Sequence, residues 1–183
     1  IKNPVNNSSQ QTKPQVSKKV STHRKKSLLE TLYIKHNTKD LLQIMQNEMN
    51  SGNASMVLNI YKNLPSKLAG QNLAVVLNIR ALKQINSRSL PAFLNNIPNN
   101  EGEILLEKAK ISFNKKRIAE CEQLADNALK APRVLMSYEA ISKEIFFLKA
   151  QTATHKFDNK PDDKNWKTAL EAWYNVKKEM RSQ

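Results

Sequence analysis

Residues 56–65 read MVLNIYKNLP, residues 90–98 read LPAFLNNIP and residues 118–132 read IAECEQLADNALKAP. Each run carries apolar residues at helical spacing and ends on a proline, and the successive terminal prolines lie 33 and 34 residues apart. A proline cannot continue a helix, so each one marks the exit from a helix. A fixed period of this length built from paired helices is the signature of stacked helical hairpins. The second helix of each of three hairpins is therefore predicted to end at Pro65, Pro98 and Pro132.

Helical apolar spacing continues on both sides of these runs. Ser27 followed by Glu30 has the form of a capping box and predicts where the helical part of the chain starts. A polar stretch that contains Pro161, residues 157–164, is predicted to form a loop inside the last hairpin. The remaining predicted helices cover Thr38 to Met49, Gly70 to Ile85, Glu101 to Phe113, residues 137–155 and residues 165–180.

The composition fits a helical interaction module and argues against several other classes of protein. The chain has 183 residues, enough for one domain with a core, and its three glycines are too few for sandwiches, barrels or glycine-rich phosphate loops. Its single cysteine, Cys121, excludes an internal disulfide and a cysteine-based zinc site. No apolar run approaches the ~20 residues that a membrane-spanning helix needs. We therefore assign residues 27–183 to one all-α domain.

The first 26 residues differ from the rest of the chain in charge. They hold seven lysines and arginines and no acidic residue, which is half of the net charge of +14. They are also poor in apolar residues, so they cannot bury enough surface to offset their ordering entropy, and we predict a disordered basic arm over residues 1–26. The arm is either a solvated linker or an electrostatic contact for nucleic acid or an anionic membrane surface. The candidate polyanion contacts are Lys18, Lys19, Arg24, Lys25 and Lys26.

Small and bulky residues recur inside the hairpins in an ordered pattern. Leu73, Ala74 and Leu77 form a trio in the first helix of the second hairpin. The second helix of the fourth hairpin carries Trp166, Ala169, Leu170 and Trp173 at the spacing seen in the second helix of the third. The third hairpin has Ala109, Phe113, Ile118, Cys121, Ala125, Ala128 and Pro132. With this pattern the chain resembles the tetratricopeptide repeat family over residues 38–181. The resemblance implies a right-handed α-solenoid of about four stacked helix–turn–helix repeats.

The resemblance also implies a groove that is lined by the first helices of the repeats and accepts a peptide or helix of another protein. A basic bias in the first two hairpins favours an acidic or extended ligand. The candidate groove residues are Gln71, Val75, Asn78, Arg80, Lys83, Lys108 and Ser112.

Other residues that can carry chemistry are assigned to packing or to solvated surface. Cys121 is expected to be a small buried packing residue, because no second cysteine or nearby histidine accompanies it. Trp166, Trp173 and Tyr174 recur at helical spacing and are expected to lie in the core, with Trp173 as its anchor, rather than to form a stacking platform for bases. No catalytic, metal or cofactor site is predicted.

The sequence thus favours a non-enzymatic module that docks or scaffolds another protein. The alternative is a nucleic-acid-binding helical-repeat protein that uses its basic arm and surface. The chain opens at Ile1 without a secretory signal pattern. A cytoplasmic location is favoured, and a segment preceding Ile1 could tether the protein.

Overall fold

Helices built from these apolar runs make up the part of the chain that the structure describes. The computed structural model describes residues 38–181, which form nine α-helices and no β-strand. No helix in this part of the chain has both the length and the apolar character needed to cross a membrane. The all-α prediction is therefore confirmed for these residues, and the arm predicted over residues 1–26 lies outside them. The helices are α1 (Thr38–Asn50), α2 (Ala54–Asn63), α3 (Ser66–Ala69), α4 (Asn72–Gln84), α5 (Leu90–Asn96), α6 (Gly102–Asn114), α7 (Ile118–Lys130), α8 (Tyr138–Asn159) and α9 (Asp163–Arg181).

Three helix ends coincide with the prolines singled out in the sequence. Helices α2, α5 and α7 each end two residues before a proline, at Asn63, Asn96 and Lys130. The residues that precede the prolines, Leu64, Ile97 and Ala131, are extended, with ψ angles of 141°, 130° and 156°. A proline disfavours helical geometry in the residue before it, which explains these ends. The predicted helix exits are confirmed.

The turns inside the first three hairpins share one backbone geometry. Gly52, Asn86 and Lys116 adopt left-handed φ angles of 78°, 51° and 61°. The N–H of the following residue donates to the carbonyl five residues back, which is the hydrogen bond that closes a helix around a left-handed residue. These bonds join Asn53 to Glu48 (2.8 Å), Ser87 to Leu82 (2.9 Å) and Arg117 to Ser112 (2.8 Å).

Lys116 is the turn residue that suits the left-handed conformation least, since glycine adopts it without strain and asparagine tolerates it. Its ammonium lies 5.8 Å from the centroid of the Phe113 ring. Lys116→Gly relieves a strain of about 1–2 kcal/mol and loses a cation–π contact of about 0.5 kcal/mol. We expect a net gain of roughly 0.5–1 kcal/mol in a urea unfolding curve. Asn86→Gly should gain less, and a destabilised Lys116→Gly protein would contradict the strain at this turn.

Two connections differ from the sequence prediction. Residues 157–159 continue α8 and α9 begins at Asp163, so the connection covers residues 160–162 and is shorter than the loop predicted over residues 157–164. The connection is short because Asp162 caps α9: its Oδ1 accepts the N–H of Asn165 at 2.8 Å, directly after Pro161. In addition, the short helix α3 precedes α4, where the sequence predicted one helix starting at Gly70.

Each hairpin packs against the next one along the chain. The first helices contact one another in order, α1 with α4, α4 with α6 and α6 with α8. The second helices α2, α5 and α7 contact the first helix of the following hairpin. Where α6, α7 and α8 meet, the small residues Ala109, Cys121, Ala125 and Ala128 are completely buried, which lets the helices approach closely. Burial raises the pKa of the Cys121 thiol to about 11, as fits a packing residue.

The core placement predicted for the aromatic residues of α9 was wrong. Trp166, Trp173 and Tyr174 are 52%, 40% and 66% exposed. Helix α9 packs chiefly against α8 and buries only its narrow Ala169–Val176 face, so aromatic residues beside that face remain open to solvent. Trp173 is held at the rim by an edge-to-face contact with Phe147 and a hydrogen bond from its Nε1 to Thr154 Oγ1 of 3.0 Å.

Candidate functional site

A groove runs across α4, α6 and α8 and reaches α9. It consists of two cavities of about 270 and 500 Å³ that share Glu144, and we call it the α4–α8 groove. The order of packing places these three first helices side by side, so residues from different hairpins meet along the same surface. The groove is therefore a product of the stacking and not of any single hairpin.

The larger cavity has an apolar lining. Phe113, Phe147, Leu148, Val176 and Met180 contribute it, from α6, α8 and α9. Phe147 is 46% exposed and Met180 is 66% exposed, so both present apolar surface that another side chain could cover. Concave apolar surface with a few polar groups at the rim is the usual setting of a binding site. The polar residues at this rim are Lys110, Asn114, Lys143, Glu144 and Gln151.

The smaller cavity is crossed by a row of ion pairs that connects three helices. Lys83 Nζ of α4 lies 2.7 Å from Glu107 Oε1 of α6, and Lys110 Nζ lies 3.0 Å from the same oxygen. Lys110 also pairs with Glu144 of α8. Lys110 lines the larger cavity and Glu144 lines both, so the row links the two cavities, and its two lysines balance its two glutamates.

Lys110 is the residue of this row that pairs with two carboxylates, those of Glu107 and Glu144. Burial disfavours its charged form, but the carboxylates of Glu107 and Glu144 outweigh the burial and raise the pKa of Lys110 above its ordinary value. Two other cations of the groove, Arg80 and Lys143, make no ion pair within 4 Å in the described part of the chain. Positive charge that a ligand could neutralise therefore lies at these two residues, one in each cavity.

The structure divides the candidate groove residues of the α4 segment into three groups. Arg80 and Lys83 line the smaller cavity, although Lys83 is already paired with Glu107. Val75 and Asn78 are buried in the interior, at 1% and 4% exposure, so their side chains do not reach a surface. Gln71 is exposed at the start of α4 and lines neither cavity of the groove.

Lys108 and Ser112 lie elsewhere, at a separate cavity of about 170 Å³ between α5, α6 and α7. The Lys108 ammonium donates to the carbonyls of Ile97 (3.0 Å) and Asn99 (3.5 Å), which fastens the connection between α5 and α6. Burial lowers the pKa of Lys108, against the opposing charge of Glu101. Ser112 is buried. The seven candidates therefore do not converge on one site, and Lys108 has a structural contact instead.

Sequence reasoning missed the residues that form most of the groove, notably Glu107, Lys110, Glu144, Phe147 and Met180. One signal was available, because Glu103, Glu107, Lys110 and Asn114 recur at helical spacing along one side of α6. That stripe indicates a polar face. The counter-charges from α4 and α8 become neighbours only when the hairpins stack.

Two further kinds of candidate site are a metal site and the polyanion contacts of the basic arm. Within residues 38–181, no three histidine, cysteine or acidic side chains converge as a metal site would require. The candidate polyanion contacts Lys18, Lys19, Arg24, Lys25 and Lys26 lie outside the described residues.

Comparison with known proteins returned no relative. No protein-family model matches the sequence, no curated protein is significantly similar to it, and no solved structure matches its fold significantly. Any function must therefore be argued from the geometry of this chain.

Proposed function

We propose that the chain is a non-enzymatic protein-interaction module that binds a segment of a partner protein in the α4–α8 groove. The observation that carries the proposal is the open apolar cavity formed by Phe147 and Met180 beside the row of ion pairs. An apolar pocket next to ordered charges suits a peptide with one large apolar side chain as its anchor.

We further propose that the scaffold is a right-handed α-solenoid of about four repeats similar to tetratricopeptide repeats. Three features support this architecture: the common left-handed turn at Gly52, Asn86 and Lys116, the proline exits from α2, α5 and α7, and the packing of each hairpin on the next. A solenoid presents its first helices along a continuous surface, which is where the groove lies.

The charge of the groove indicates the chemistry of the ligand. Lys83 and Lys110 are satisfied by Glu107 and Glu144, so they offer little to an incoming anion. Arg80 and Lys143 remain available at the edges of the two cavities. The proposed ligand is therefore a peptide with a bulky apolar anchor and a flanking acidic residue.

A random peptide library displayed on phage and selected on the full chain tests this function. Selected sequences should share an aromatic or aliphatic anchor beside Asp or Glu. Phe147→Ser should weaken the best synthetic peptide at least about tenfold, because burial of such a side chain contributes about 1.5–3 kcal/mol. Tyr138→Ser is the matched control, since Tyr138 lies on the same helix with 49% exposure but outside the groove.

Two results would count against the groove. Equal losses of affinity in Phe147→Ser and Tyr138→Ser would place the peptide elsewhere or indicate a general loss of structure, which thermal melts of both variants separate. A library that yields no common anchor would remove the reason for assigning a peptide ligand.

Nucleic acid binding stays a prediction that rests on the net charge of +14 and on residues 1–26. The dependence of binding affinity on salt concentration tests this prediction. A polyanion ligand gives a steep linear fall of log affinity with log salt, whereas an apolar peptide groove gives a shallow one.

A further inference from the structure

We infer that the exposed flank of α9 is a contact surface for an anionic lipid bilayer, and this flank borders the α4–α8 groove at Met180. Helix α9 exposes apolar and basic residues together on the flank that α8 does not cover. The apolar members are Trp166, Leu170, Trp173, Tyr174 and Met180, of which Leu170 is 57% and Met180 is 66% exposed. Large exposed apolar residues on one helix mark an interaction surface rather than ordinary solvent exposure.

The spacing aligns these residues along the helix. Trp166, Leu170, Trp173 and Tyr174 follow one another at intervals of four, three and one residues, so they lie on the same side. From Trp166 to Met180 the surface extends about 21 Å at the rise of an α-helix. This is an elongated apolar flank and not a pocket, which suits a planar partner better than a single anchoring side chain.

Positive charge is concentrated at the C-terminal end of the same flank. Tyr174, Lys177, Lys178 and Arg181 enclose a shallow concavity of about 320 Å³ that has no acidic residue in its lining. The acidic residue nearest in sequence, Glu179, is turned towards α8, where it accepts a hydrogen bond of 2.9 Å from Ser142 Oγ. The concavity therefore offers three cations and an aromatic ring to an anionic surface.

The mixture of side chains favours a bilayer over other anionic partners. Tryptophan, tyrosine and leucine beside lysines are typical of helices that lie in the membrane interface, where the rings enter the boundary and the lysines meet the headgroups. A single-stranded nucleic acid would use the rings, but Leu170 and Met180 offer no flat face on which a base can stack. A second copy of this chain would bring the cations of two α9 helices close together.

The two tryptophans of the chain make the test direct, because both lie on α9. Their emission reports on this helix alone, whatever residues 1–26 do. We expect vesicles of phosphatidylcholine with phosphatidylserine to shift the emission to shorter wavelength and to protect it from acrylamide. Vesicles of phosphatidylcholine alone should have a much smaller effect.

Surface variants identify the residues responsible. Lys177→Gln with Lys178→Gln should lower partitioning onto the anionic vesicles about 25-fold, since each lysine near such a surface contributes about a factor of five. Lys62→Gln with Lys67→Gln removes the same charge from exposed residues of α2 and α3 and should leave the emission shift intact. Leu170→Ser should lower partitioning about tenfold, and Ile85→Ser, at a residue with 47% exposure, is its control.

Four results would overturn the inference. The first is binding to vesicles without any change in tryptophan emission, and the second is an equal loss of vesicle partitioning in the two double-lysine variants. The third is quenching of the tryptophan emission by a single-stranded oligothymidine with no response to vesicles. The fourth is a blue shift of the emission that depends on protein concentration in the absence of lipid. The last two would assign α9 to nucleic acid and to a second copy of the chain. Peptide binding by the groove is measured separately, so either proposal can fail alone.

Discussion

Glu103→Ala is expected to lower the free energy of unfolding by about 3 kcal/mol, because it leaves three partly buried backbone N–H groups without their shared charged acceptor. Glu103 is only 5% exposed and lies in the first turn of α6. Its Oε1 accepts the backbone N–H groups of Val134 (2.9 Å), Leu135 (2.6 Å) and Met136 (2.8 Å). One carboxylate thus fixes the connection from α7 to α8. Urea unfolding of the variant measures the loss.

The matched control is Glu120→Ala, in the first turn of the neighbouring helix α7. Glu120 forms a surface ion pair with Arg117 at 3.0 Å, and such pairs contribute at most about 1 kcal/mol. If the two variants lost equal stability, Glu103 would be acting through the helix dipole alone, as any acidic residue in a first turn does.

The same contact predicts a dependence of stability on pH. Burial opposes the ionisation of Glu103, but the N–H donors of Met136, Leu135 and Val134 outweigh it, and the pKa of Glu103 is lowered. A carboxyl with a lowered pKa in the folded state stabilises fully above its unfolded pKa of about 4.3 and loses that contribution as the pH falls through the folded value. The stability difference between wild type and Glu103→Gln should therefore be constant near neutral pH and shrink below about pH 4. A difference that does not change with pH would contradict the ionised contact.

Gly102→Ala is expected to cost about 2–3 kcal/mol by overpacking. A Cβ at Gly102 would lie 2.8 Å from Ile141 Cδ1 and 2.9 Å from the Ala128 carbonyl oxygen. The isoleucine can shift, but the carbonyl belongs to the backbone of α7. The Gly102 N–H also donates to the Pro132 carbonyl at 2.8 Å, which ties the start of α6 to the exit from α7.

Gly70→Ala provides the control within the same chain. Its added Cβ would meet nothing closer than the Ser66 carbonyl oxygen at 3.6 Å. The backbone of Gly70 is already in the right-handed helical region, which alanine adopts without strain. We expect a change within about 0.5 kcal/mol, with a slight gain possible because alanine restricts the unfolded chain. Thermal unfolding of both variants decides the matter, and comparable melting temperatures would rule out a close approach of helices at Gly102.

Helix positions could be predicted from the sequence because their causes are local. Proline acts on the residue directly before it, and the extended Leu64, Ile97 and Ala131 follow from that restriction. Burial of Ala109 and Cys121 could be predicted too, because small residues at helical spacing indicate where helices approach. The sequence also placed a turn between the helices that end at Phe113 and start at Ile118, but not the left-handed angle of Lys116, since a lysine carries no local signal for it.

The groove could not be predicted because its residues come from different hairpins. Periodicity placed Val75 and Asn78 on the first helix of a repeat, but Val75 packs against α5 and α6, and Asn78 is buried as well. Lys83 looked like free positive charge in a segment poor in acids, and Glu107 of the next hairpin neutralises it. Trp173 was predicted to be buried and is exposed instead, because an apolar residue is buried only when a neighbouring element covers its side of the helix.

The distribution of methionines offers the most direct test of the proposed groove. Of the five in the chain, Met136 and Met180 line its two cavities, whereas Met45, Met49 and Met56 belong to α1 and α2. Spectra of the full chain with ¹³C-methyl methionine should be recorded during titration with the best library peptide. We predict that the Met136 and Met180 methyl resonances shift while the other three stay in place. Shifts confined to Met45, Met49 and Met56, or no shift of Met180 at saturating peptide, would contradict binding in the α4–α8 groove.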